Sequence, residues 1–471
     1  MVPAPSSSPS IDTIIERIGI PTTEHWVNLL RTLSRHEVGV VKASGKLLVD
    51  PYLGQLATEL TYLARETGFC LPLIIGGGVQ YDALPAHHEA GRVNDLRITS
   101  AELIEQMLPL AWENQERVAA ALRIAGVDAV VIPPETVRVK KHGTEYDRGT
   151  HEEIDLGFVG DVVTIDTKRI LAAIYAGQIP IVSHLGLCSQ DGKIYNVNAT
   201  TLAAELVRVL GAKKLIIVGD QPVKDGDAVV RTFFSRRVFE EMCMQGTISG
   251  GMAKNVREAF DLLERLGPDH SVQLTTLKYA NGEGGDLAST GLLEELLGDG
   301  SGTKVMTPSP VVAYPLSAID IVLVTRMIND AFMMQQQKRL VPGYFPALTG
   351  KDPTVYLDAN KRGGAVTYPL PGFNGKGCEY LCKLATRPDY EGLGVAASIM
   401  EMIILQKGAV AWRSSQPSRL YDSVIRHYGG FKEEPGNYTV YGVGIPDDKK
   451  EDVILRVVSI PVTLQKMEGT P

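Results

Sequence analysis

The residues best suited to chemistry form a short loop near position 390. The loop consists of Glu391, Gly392, Leu393, Gly394, Val395 and Ala396. A strand-like run at 380–386 leads into it, and a largely apolar helical pattern follows. A strand, a glycine-containing turn and a helix N-terminus bring free main-chain N–H groups and a positive dipole end towards an anion. The loop therefore predicts a site for a pyrophosphate-like group, although such glycines alone more often form an ordinary turn.

A second glycine loop follows the strand-like run 71–75. Gly76, Gly77 and Gly78 precede a helical stretch there, so their amides could cradle a phosphate at the carboxyl edge of a sheet. Lys42 ends the first strand-like run and would lie beside these glycines if the two strands are neighbours. Its ammonium would then face a phosphoryl group. Without the glycines, a solvated strand-end lysine would be the preferred interpretation.

The elements that must position these loops alternate between strands and helices. Strand-like apolar runs occur at 38–41, 71–75, 129–132, 179–183, 214–218 and 272–274. Helical stretches separate them, and this order predicts an α/β fold with a mainly parallel sheet between helices. Between 138 and 167 the pattern becomes hairpin-like, which predicts an antiparallel flap inserted in this domain.

The same patterns predict the domain organisation. Residues 1–35 form a tail and an N-terminal helix, whose apolar residues at helical spacing are Trp26, Leu29, Leu30 and Leu33. Residues 36–305 form the first domain. A Pro-containing break at 306–310 precedes a new helical stretch near 317, so the second domain spans 317–465.

Composition limits the functional class. The chain has 471 residues, a net charge of -8 and five cysteines, and no apolar run reaches the roughly 18 residues of a membrane helix. The acidic balance disfavours nucleic acid as a partner, and few, odd cysteines favour reduced thiols. The first ten residues lack the basic start and apolar core of a secretion signal, so the expected location is cytoplasmic. No cysteine pair has zinc spacing, and no metal is expected.

A series of short motifs occurs in order between residues 36 and 305. They are Lys42-Ala43-Ser44-Gly45, Gly76-Gly77-Gly78-Val79-Gln80, Leu96-Arg97-Ile98-Thr99, Gly157-Phe158-Val159-Gly160-Asp161, Tyr195-Asn196-Val197-Asn198-Ala199, Gly246-Thr247-Ile248-Ser249-Gly250-Gly251-Met252 and Gly302-Thr303. This series resembles the amino-acid kinase fold, specifically the N-acetylglutamate kinase family. The resemblance implies that Lys42 assists phosphoryl transfer and that the three loop glycines hold the phosphoryl group. It also implies that Arg97, Asn196 and Asn198 hold an acylated amino acid.

Two positions depart from that family in a way that affects catalysis. Thr200 stands where the kinases carry an aspartate, and Asn255 stands where they carry a second lysine. In the kinases the aspartate orients two lysines, which neutralise charge on the transferred phosphoryl group. Lys254 is one residue away, but a one-residue shift turns a helical side chain by about 100°. We therefore expect a domain that keeps its fold and pocket and no longer transfers phosphate.

Three motifs in the last third of the chain also occur in family order. They are Tyr380-Leu381-Cys382-Lys383-Leu384, Glu391-Gly392-Leu393-Gly394 and Ala411-Trp412-Arg413-Ser414. They resemble the GNAT acetyltransferase fold, and their pairing with a kinase-like domain resembles the two-domain N-acetylglutamate synthase family, which is related to the bifunctional synthase/kinases. The resemblance implies that the loop near 390 binds acetyl-CoA as co-substrate, and acetyl transfer itself needs no metal.

The resemblance also assigns roles in acetyl transfer. Lys383 and Arg413 would bind carboxylates of the amino-acid acceptor, with Ser414 as a hydrogen-bond partner. Each cation alone would otherwise be read as a snorkelling or salt-bridged strand residue. Tyr421 would donate a proton to the departing CoA thiolate, although a tyrosine on a helix face is more often core packing. The chain departs from the synthases after Ser414 and at Asp389.

The expected function is synthesis of N-acetyl-L-glutamate from acetyl-CoA and L-glutamate in arginine biosynthesis. The resemblance further implies regulation by L-arginine through an inactive kinase-like domain and assembly into a homo-oligomer. Two alternatives remain open at this point. One is a bifunctional synthase/kinase, and the other is a non-catalytic regulatory subunit that responds to arginine or acyl-CoA.

Overall fold

The computed structural model describes most of the chain. The described residues are 11–18, 20–31, 33–49, 51–87, 91–93, 96–147, 150–219, 223–225, 228–230, 232–233, 235–267, 270–277, 291–297, 302–307, 309–370, 377–391, 394–416 and 418–466.

The described residues form helices and strands in the following order. The helices are α1 Ile11–Ile18, α2 Ile20–Leu30, α3 Tyr52–Tyr62, α4 Gly78–Asp82, α5 Ala101–Ala125, α6 Thr167–Tyr175, α7 Ala199–Leu210, α8 Arg236–Met244, α9 Gly250–Leu266, α10 Leu292–Leu297, α11 Ile321–Gln336, α12 Val395–Lys407, α13 Arg419–Tyr428 and α14 Lys450–Ser459. The strands are β1 Gly39–Ala43, β2 Leu73–Ile75, β3 Arg92–Val93, β4 Leu96–Arg97, β5 Ala129–Ile132, β6 Val137–Lys141, β7 Thr144–Tyr146, β8 Glu153–Asp155, β9 Gly160–Ile165, β10 Ile179–Val182, β11 Leu185–Cys188, β12 Ile194–Asn196, β13 Lys214–Gly219, β14 Lys224–Asp225, β15 Ala228–Val229, β16 Thr232–Phe233, β17 Ser271–Thr276, β18 Thr303–Met306, β19 Val311–Pro315, β20 Lys338–Leu340, β21 Thr354–Asp358, β22 Gly363–Pro369, β23 Glu379–Thr386, β24 Val410–Ser414, β25 Phe431–Glu433, β26 Thr439–Val443 and β27 Leu464–Lys466.

The chain forms two compact units. The first contains residues 1–230 and 246–305, and the second contains residues 231–245 and 306–471. The segment 231–245 thus leaves the first unit and belongs to the second, which no feature of the sequence indicated.

The first unit is built on a large parallel sheet. Strands β17, β13, β1, β2, β10 and β5 are neighbours in that order and run parallel, and β18 follows β17 at one side. Their apolar residues are buried on both faces, as in all four residues of β10, because helices cover a parallel sheet on both sides. The mainly parallel sheet predicted from the sequence is confirmed. Strand β1 lies beside β2, with Lys42 opposite Ile74.

A smaller sheet of the first unit contains the predicted antiparallel flap. Strands β6 and β9 pair antiparallel in this sheet, and β7 and β8 pair antiparallel in a separate two-stranded sheet. The flap is larger than the sequence indicated, because β11 adds to β6 in parallel and β12 adds antiparallel to β11. The order β12, β11, β6, β9 brings Asn196 to one side of this sheet.

The N-terminal helix of the prediction is present as α2, and a further helix, α1, precedes it. Trp26 and Leu30 are buried, and Leu33 packs against the core of the first unit. Packing against the core of the first unit therefore explains why these apolar residues recur at helical spacing. The side chain of Leu29 lies outside the described set.

The second unit is a sheet with helices on both faces. Its strand order is β19, β21, β22, β23, β24, β26, β25, and the pairs are antiparallel except for β23 with β24. Strand β21 alternates between the two cores: Val355 and Leu357 pack with α11 and α14, whereas Tyr356 packs with α12 and α13. This period of two follows from strand geometry. The predicted α/β class of this unit is confirmed.

None of the described helices is both long enough and apolar enough to cross a membrane.

Candidate functional site

The second unit contains a break between its two parallel strands. Strands β23 and β24 pair only at Glu379 with Val410 and at Tyr380 with Ala411. Beyond these pairs each strand continues without its neighbour, β23 to Thr386 and β24 to Ser414. The two strands therefore diverge and open the sheet near its centre.

A β-bulge lies at the beginning of this opening. Val366 of β22 pairs with Lys383, but the next residue, Thr367, pairs with Leu381, so Cys382 is an extra residue on β23. A bulge leaves the extra residue unpaired in the ladder and turns the neighbouring side chains. It explains how Cys382 and Lys383 can both border the opening although they are adjacent on a strand.

A cavity of about 320 Å³ fills the opening. Its lining includes all the predicted acceptor residues and the predicted acid: Lys383, Arg413, Ser414 and Tyr421. Residues that sequence reasoning did not select also line it, among them Tyr438 and Thr463. Thr463 and Tyr438 lie far from the motifs along the chain, and no signal in the sequence marked them.

Lys383 is buried at the base of the site. The residue is 6% exposed, and its Nζ donates to the carbonyl oxygen of Cys382 at 2.9 Å and to Oγ1 of Thr463. The ammonium also lies 5.3 Å from the ring centre of Tyr344. Burial lowers the pKa of Lys383, because the charged form has lost water. A carboxylate that entered the cavity would favour the charged form again.

Arg413 makes contacts that the sequence did not suggest. Its Nη1 donates to the carbonyl oxygens of Val457 at 2.9 Å and Val458 at 2.8 Å, and its Nη2 donates to those of Ile460 at 2.6 Å and Pro461 at 3.3 Å. Val457 and Val458 lie in the last turn of helix α14, and Ile460 and Pro461 follow it, where main-chain acceptors lack helical partners. In this structure the terminal nitrogens of Arg413 therefore cap a helix. Binding of an acceptor carboxylate by Arg413 remains a prediction.

Ser414 and Tyr421 border the same cavity. The Ser414 hydroxyl donates to the carbonyl oxygen of Gln416 at 2.6 Å. The Tyr421 ring packs edge-on against Trp412, with ring centres 5.5 Å apart, and lies 5.4 Å from the ring of Tyr441. Burial raises the pKa of Tyr421, so its phenol keeps its proton at neutral pH. A proton donor requires that state.

The predicted anion-binding loop ends at the N-terminus of α12. Gly394 is the N-cap residue and has φ +80°, a left-handed conformation that glycine adopts without strain. No side chain caps this terminus among the described residues, so its first N–H groups face outwards from the helix. Val395 is buried, whereas Glu391 and Ala396 are half-buried. Gly392 and Leu393 lie outside the described residues.

A separate cavity of about 170 Å³ lies in the first unit. It is lined by every residue predicted for the kinase-like pocket, namely Lys42, Gly76, Gly77, Gly78, Arg97, Asn196 and Asn198. They come from strand ends and helix starts that are distant in sequence, and the parallel pairing of β1 with β2 brings the first four together.

Close packing requires a glycine at position 77 of the loop. A Cβ on Gly77 would lie 2.2 Å from the ring of Tyr81, whereas a Cβ on Gly76 would make an ordinary contact, 3.7 Å from Cε of Lys42. The buried Arg97 donates to Oδ1 of Asp82 at 2.6 Å and to the carbonyl oxygen of Gly78 at 3.1 Å. Arg97 therefore fixes helix α4 as well as bordering the cavity.

Among the cavity residues that the sequence analysis missed are two buried side chains with polar atoms. Tyr81 and His184 are buried, and neither the hydroxyl of Tyr81 nor Nε2 of His184 has a hydrogen-bond partner among the described residues. Burial lowers the pKa of His184 to about 4, so its ring is neutral at pH 7. His184 follows strand β10, the neighbour of β2, and this adjacency is the signal that could have found it.

The structure also shows where the two positions that depart from the kinases lie. Thr200 lines the cavity in the first turn of α7, where Asn198 caps the helix by accepting from the N–H groups of Thr200 at 2.8 Å and Thr201 at 3.0 Å. Asn255 and Lys254 are exposed on α9. Within the described ranges, no group of three or more His, Cys, Asp or Glu side chains could hold a metal ion.

Sequence comparison relates the N-terminal part of the chain to known proteins. The profile of the amino acid kinase family matches residues 37–273. An acetylglutamate kinase of Novosphingobium aromaticivorans is 32% identical over 241 residues, which cover 48% of this chain and 79% of that protein. An acetylglutamate kinase of Xanthomonas campestris pv. campestris is 28% identical over 388 residues, which cover 81% of this chain and 84% of that protein.

Structural comparison extends to both units. The N-acetylglutamate synthase from Neisseria gonorrhoeae complexed with coenzyme A and N-acetyl-glutamate matches with a TM-score of 0.55 at 20% identity, over 94% of this chain and 98% of that one. Its complex with coenzyme A and L-arginine matches with a TM-score of 0.53 at 18% identity, over 90% and 98%. At this identity the likeness establishes a common fold.

Proposed function

The chain belongs to the amino acid kinase family and has the fold of N-acetylglutamate synthase, and from these premises we propose that it transfers an acetyl group from acetyl-CoA to L-glutamate. The observation that carries the proposal is the divergence of β23 and β24 beside the uncapped N-terminus of α12. An extended thioester needs such an opening, and its pyrophosphate needs such a helix terminus. The structural neighbour with this fold was solved with coenzyme A, which supports the assignment.

The reaction requires alignment more than side-chain chemistry. The glutamate amine, once deprotonated, attacks the thioester carbonyl carbon, so that a C–N bond forms and the C–S bond breaks. The bulge at Cys382 interrupts the ladder where a main-chain N–H could stabilise the oxyanion. The CoA thiolate then takes a proton, for which the protonated phenol of Tyr421 is the proposed donor.

Lys383 is the proposed anchor for an acceptor carboxylate. It is the buried cation of the cavity, and its lowered pKa means that a carboxylate partner would stabilise its charged form. Arg413 contributes in another way, because its guanidinium secures the end of α14 beside the cavity. We propose that Lys383 makes the direct contact and that Arg413 and Ser414 shape the surrounding wall.

The first unit is proposed to regulate and not to transfer phosphate. Phosphoryl transfer needs charge carriers around the moving group, and Thr200 supplies none where it borders the cavity. Asn255 is uncharged and exposed on α9. We propose L-arginine as the effector and a homo-oligomer as the working form, supported by the neighbour that was solved with L-arginine.

The test is a pair of assays on the full chain. Release of CoA thiol is measured with acetyl-CoA and a panel of amino acids, with and without L-arginine. Release with L-glutamate that responds to L-arginine is the expected result. Release only with another amine would overturn the substrate, and binding of acetyl-CoA without any release would overturn the enzymatic role.

A bifunctional synthase/kinase is the second candidate. It is favoured by the cavity that gathers Lys42, the glycine loop, Arg97, Asn196 and Asn198, and by relatives named acetylglutamate kinase. ATP consumption with N-acetylglutamate would establish it. We expect none, and Asn255→Lys combined with Thr200→Asp is the variant in which kinase activity should appear if charge is what is missing.

A further inference from the structure

A buried ion pair lies beneath the anion-binding loop, and the proposed chemistry does not use it. Asp358 ends strand β21, and Arg362 precedes β22. The two residues are 1% and 2% exposed. Arg362 donates from Nε to Oδ2 of Asp358 and from Nη2 to Oδ1, both at 2.9 Å. The pair is thus bidentate and has lost its water, so its geometry is tightly defined.

The segment that leads into the loop is hydrogen-bonded to the main chain of Arg362. The main-chain N–H of Arg387 donates to the carbonyl oxygen of Arg362 at 2.7 Å. The main-chain N–H of Arg362 in turn donates to Oδ2 of Asp358 at 3.2 Å, which fixes the backbone at that point. The ring centre of Tyr390 lies 5.9 Å from the guanidinium of Arg362 and 5.4 Å from that of Arg387.

The other end is attached through two serines. The Ser309 hydroxyl donates to Oδ1 of Asp358 and accepts from Nη2 of Arg362 at 2.5 Å. The main-chain N–H of Ser309 donates to the Ser398 hydroxyl at 2.7 Å. That hydroxyl donates to the carbonyl oxygen of Gly394 at 3.0 Å. A continuous series of hydrogen bonds therefore joins the ion pair to the N-cap of α12.

This connection matters because the terminus lacks a local cap. The N-cap Gly394 offers no side chain, and glycine leaves the backbone free to adopt several conformations. Anion binding at a helix N-terminus requires the first N–H groups to converge on one point. A buried ion pair is weak evidence for stability, since apolar residues of similar volume often serve as well. What apolar side chains could not do is accept from the Arg362 N–H, as Asp358 does, or continue the hydrogen bonds through Ser309 and Ser398 to Gly394.

We propose that Asp358, Arg362, Ser309 and Ser398 form a positioning relay that pre-organises the loop for the diphosphate of a CoA-type ligand. The inference rests on the proposed acetyl-CoA site and adds the residues that set its affinity. All four act through Arg387 and Gly394 and make no contact with the ligand themselves. They are therefore positioning residues.

The experiment measures binding of CoA to the full chain by calorimetry and the KM values for acetyl-CoA and glutamate. Ser398→Ala removes the hydroxyl that joins Ser309 to Gly394 and leaves the ion pair intact. The helical hydrogen bond from the Ser398 N–H to the Gly394 carbonyl oxygen, at 2.9 Å, stays in this variant. Asp358→Asn removes the charge from the relay. Each should weaken CoA binding and raise the KM for acetyl-CoA by about 10-fold, with kcat and the KM for glutamate nearly unchanged. Amide hydrogen exchange at residues 394–398 should also become faster.

The matched control is Glu379→Gln at the opposite end of α12. Glu379 is 5% exposed, accepts from the Thr367 hydroxyl at 2.6 Å and pairs with Lys407 at 3.2 Å. This variant also perturbs a buried carboxylate beside the helix, but it should leave CoA affinity unchanged. If Asp358→Asn does not fold, Ser398→Ala alone decides the question.

The outcomes separate the relay from the function on which it rests. Wild-type affinity for CoA in Ser398→Ala, or an equal loss in Glu379→Gln, would overturn the relay while the acetyl-CoA site stands. If the wild-type chain binds no CoA, the acetyl-CoA site and the relay fall together. Weakened binding in the relay variants only, with a normal KM for glutamate, supports the inference.

Discussion

Replacement of Arg413 distinguishes a helix cap from a substrate contact. The sequence predicts that its guanidinium binds an acceptor carboxylate. In the structure both terminal nitrogens donate to carbonyl oxygens at the end of α14. Arg413→Lys keeps the charge but cannot satisfy two diverging pairs of acceptors, and Arg413→Met removes the donors entirely.

The size of the effect follows from these bonds. Leaving a buried carbonyl without a donor costs about 1–3 kcal/mol. The contact to Pro461 is long, at 3.3 Å, and exposed, so three carbonyls remain, and these are partly buried. Taking the low end for each gives a loss of about 3 kcal/mol for Arg413→Met. For a unit of this size that lowers Tm by about 6–12 °C.

Calorimetry of the full chain measures the unfolding transition of the second unit, and hydrogen exchange follows the amides of α14. CoA-release kinetics give the KM for glutamate in the same variants. The control is Arg326→Met on α11, where the side chain is 83% exposed and faces Asp330 at 3.8 Å. An exposed pair of this kind contributes at most about 0.5 kcal/mol.

The capping role predicts an earlier transition, faster exchange in α14, and similar losses in kcat/KM for both substrates. The opposite pattern would refute it. If Arg413→Lys unfolds like the wild type while the KM for glutamate alone rises about 10-fold or more, the guanidinium binds the acceptor and leaves the carbonyls when substrate enters.

Three further predictions concern single residues. Burial lowers the pKa of Lys214 from 10.5 to about 7. Between pH 7 and pH 10.5 the unfolded chain therefore binds more protons than the folded chain, and the free energy of unfolding rises with pH. From pH 7 to 8.5 the first unit should gain about 1–2 kcal/mol, which Lys214→Met abolishes in thermal unfolding at the two pH values. Tyr421→Phe should lower kcat about 100-fold with unchanged KM values in steady-state kinetics, and an unchanged kcat would exclude Tyr421 as the proton donor. Gly394→Ala places a Cβ 3.0 Å from Sδ of Met306 at φ +80° and should raise the KM for acetyl-CoA several-fold, whereas an unaltered KM would mean that the loop tolerates another conformation.

The kinase-like pocket was largely predictable from the sequence because its residues stand at the ends of strands. Parallel strands end at one edge of a sheet, so a lysine after β1 and glycines after β2 meet once those strands pair. His184 follows the same rule on β10, but a lone histidine carries no motif that would select it. Its burial and its unpartnered nitrogen appear only when the sheet is assembled.

The site of the second unit was less predictable, because its contacts are long-range. The acceptors of Arg413 lie 44 to 48 residues away, and the hydroxyl that receives Lys383 is 80 residues away. The bulge that turns Cys382 depends on how β22 and β23 pair. The motifs named residues that line this cavity, but they could not give the partners that decide what each side chain does.

The two cavities also differ in how easily substitution can abolish their chemistry. Phosphoryl transfer depends on charged side chains around the moving group, so under our proposal Thr200 and Asn255 remove one charge carrier and its organising carboxylate while Lys42 and the glycine loop remain in place. Acetyl transfer depends chiefly on strand divergence, a bulge and a helix terminus, which belong to the main chain. The proposed loss of kinase chemistry and the proposed retention of acetyl transfer therefore have a common physical basis: the first needs particular charges, whereas the second needs only the fold and the side chains that hold it in register.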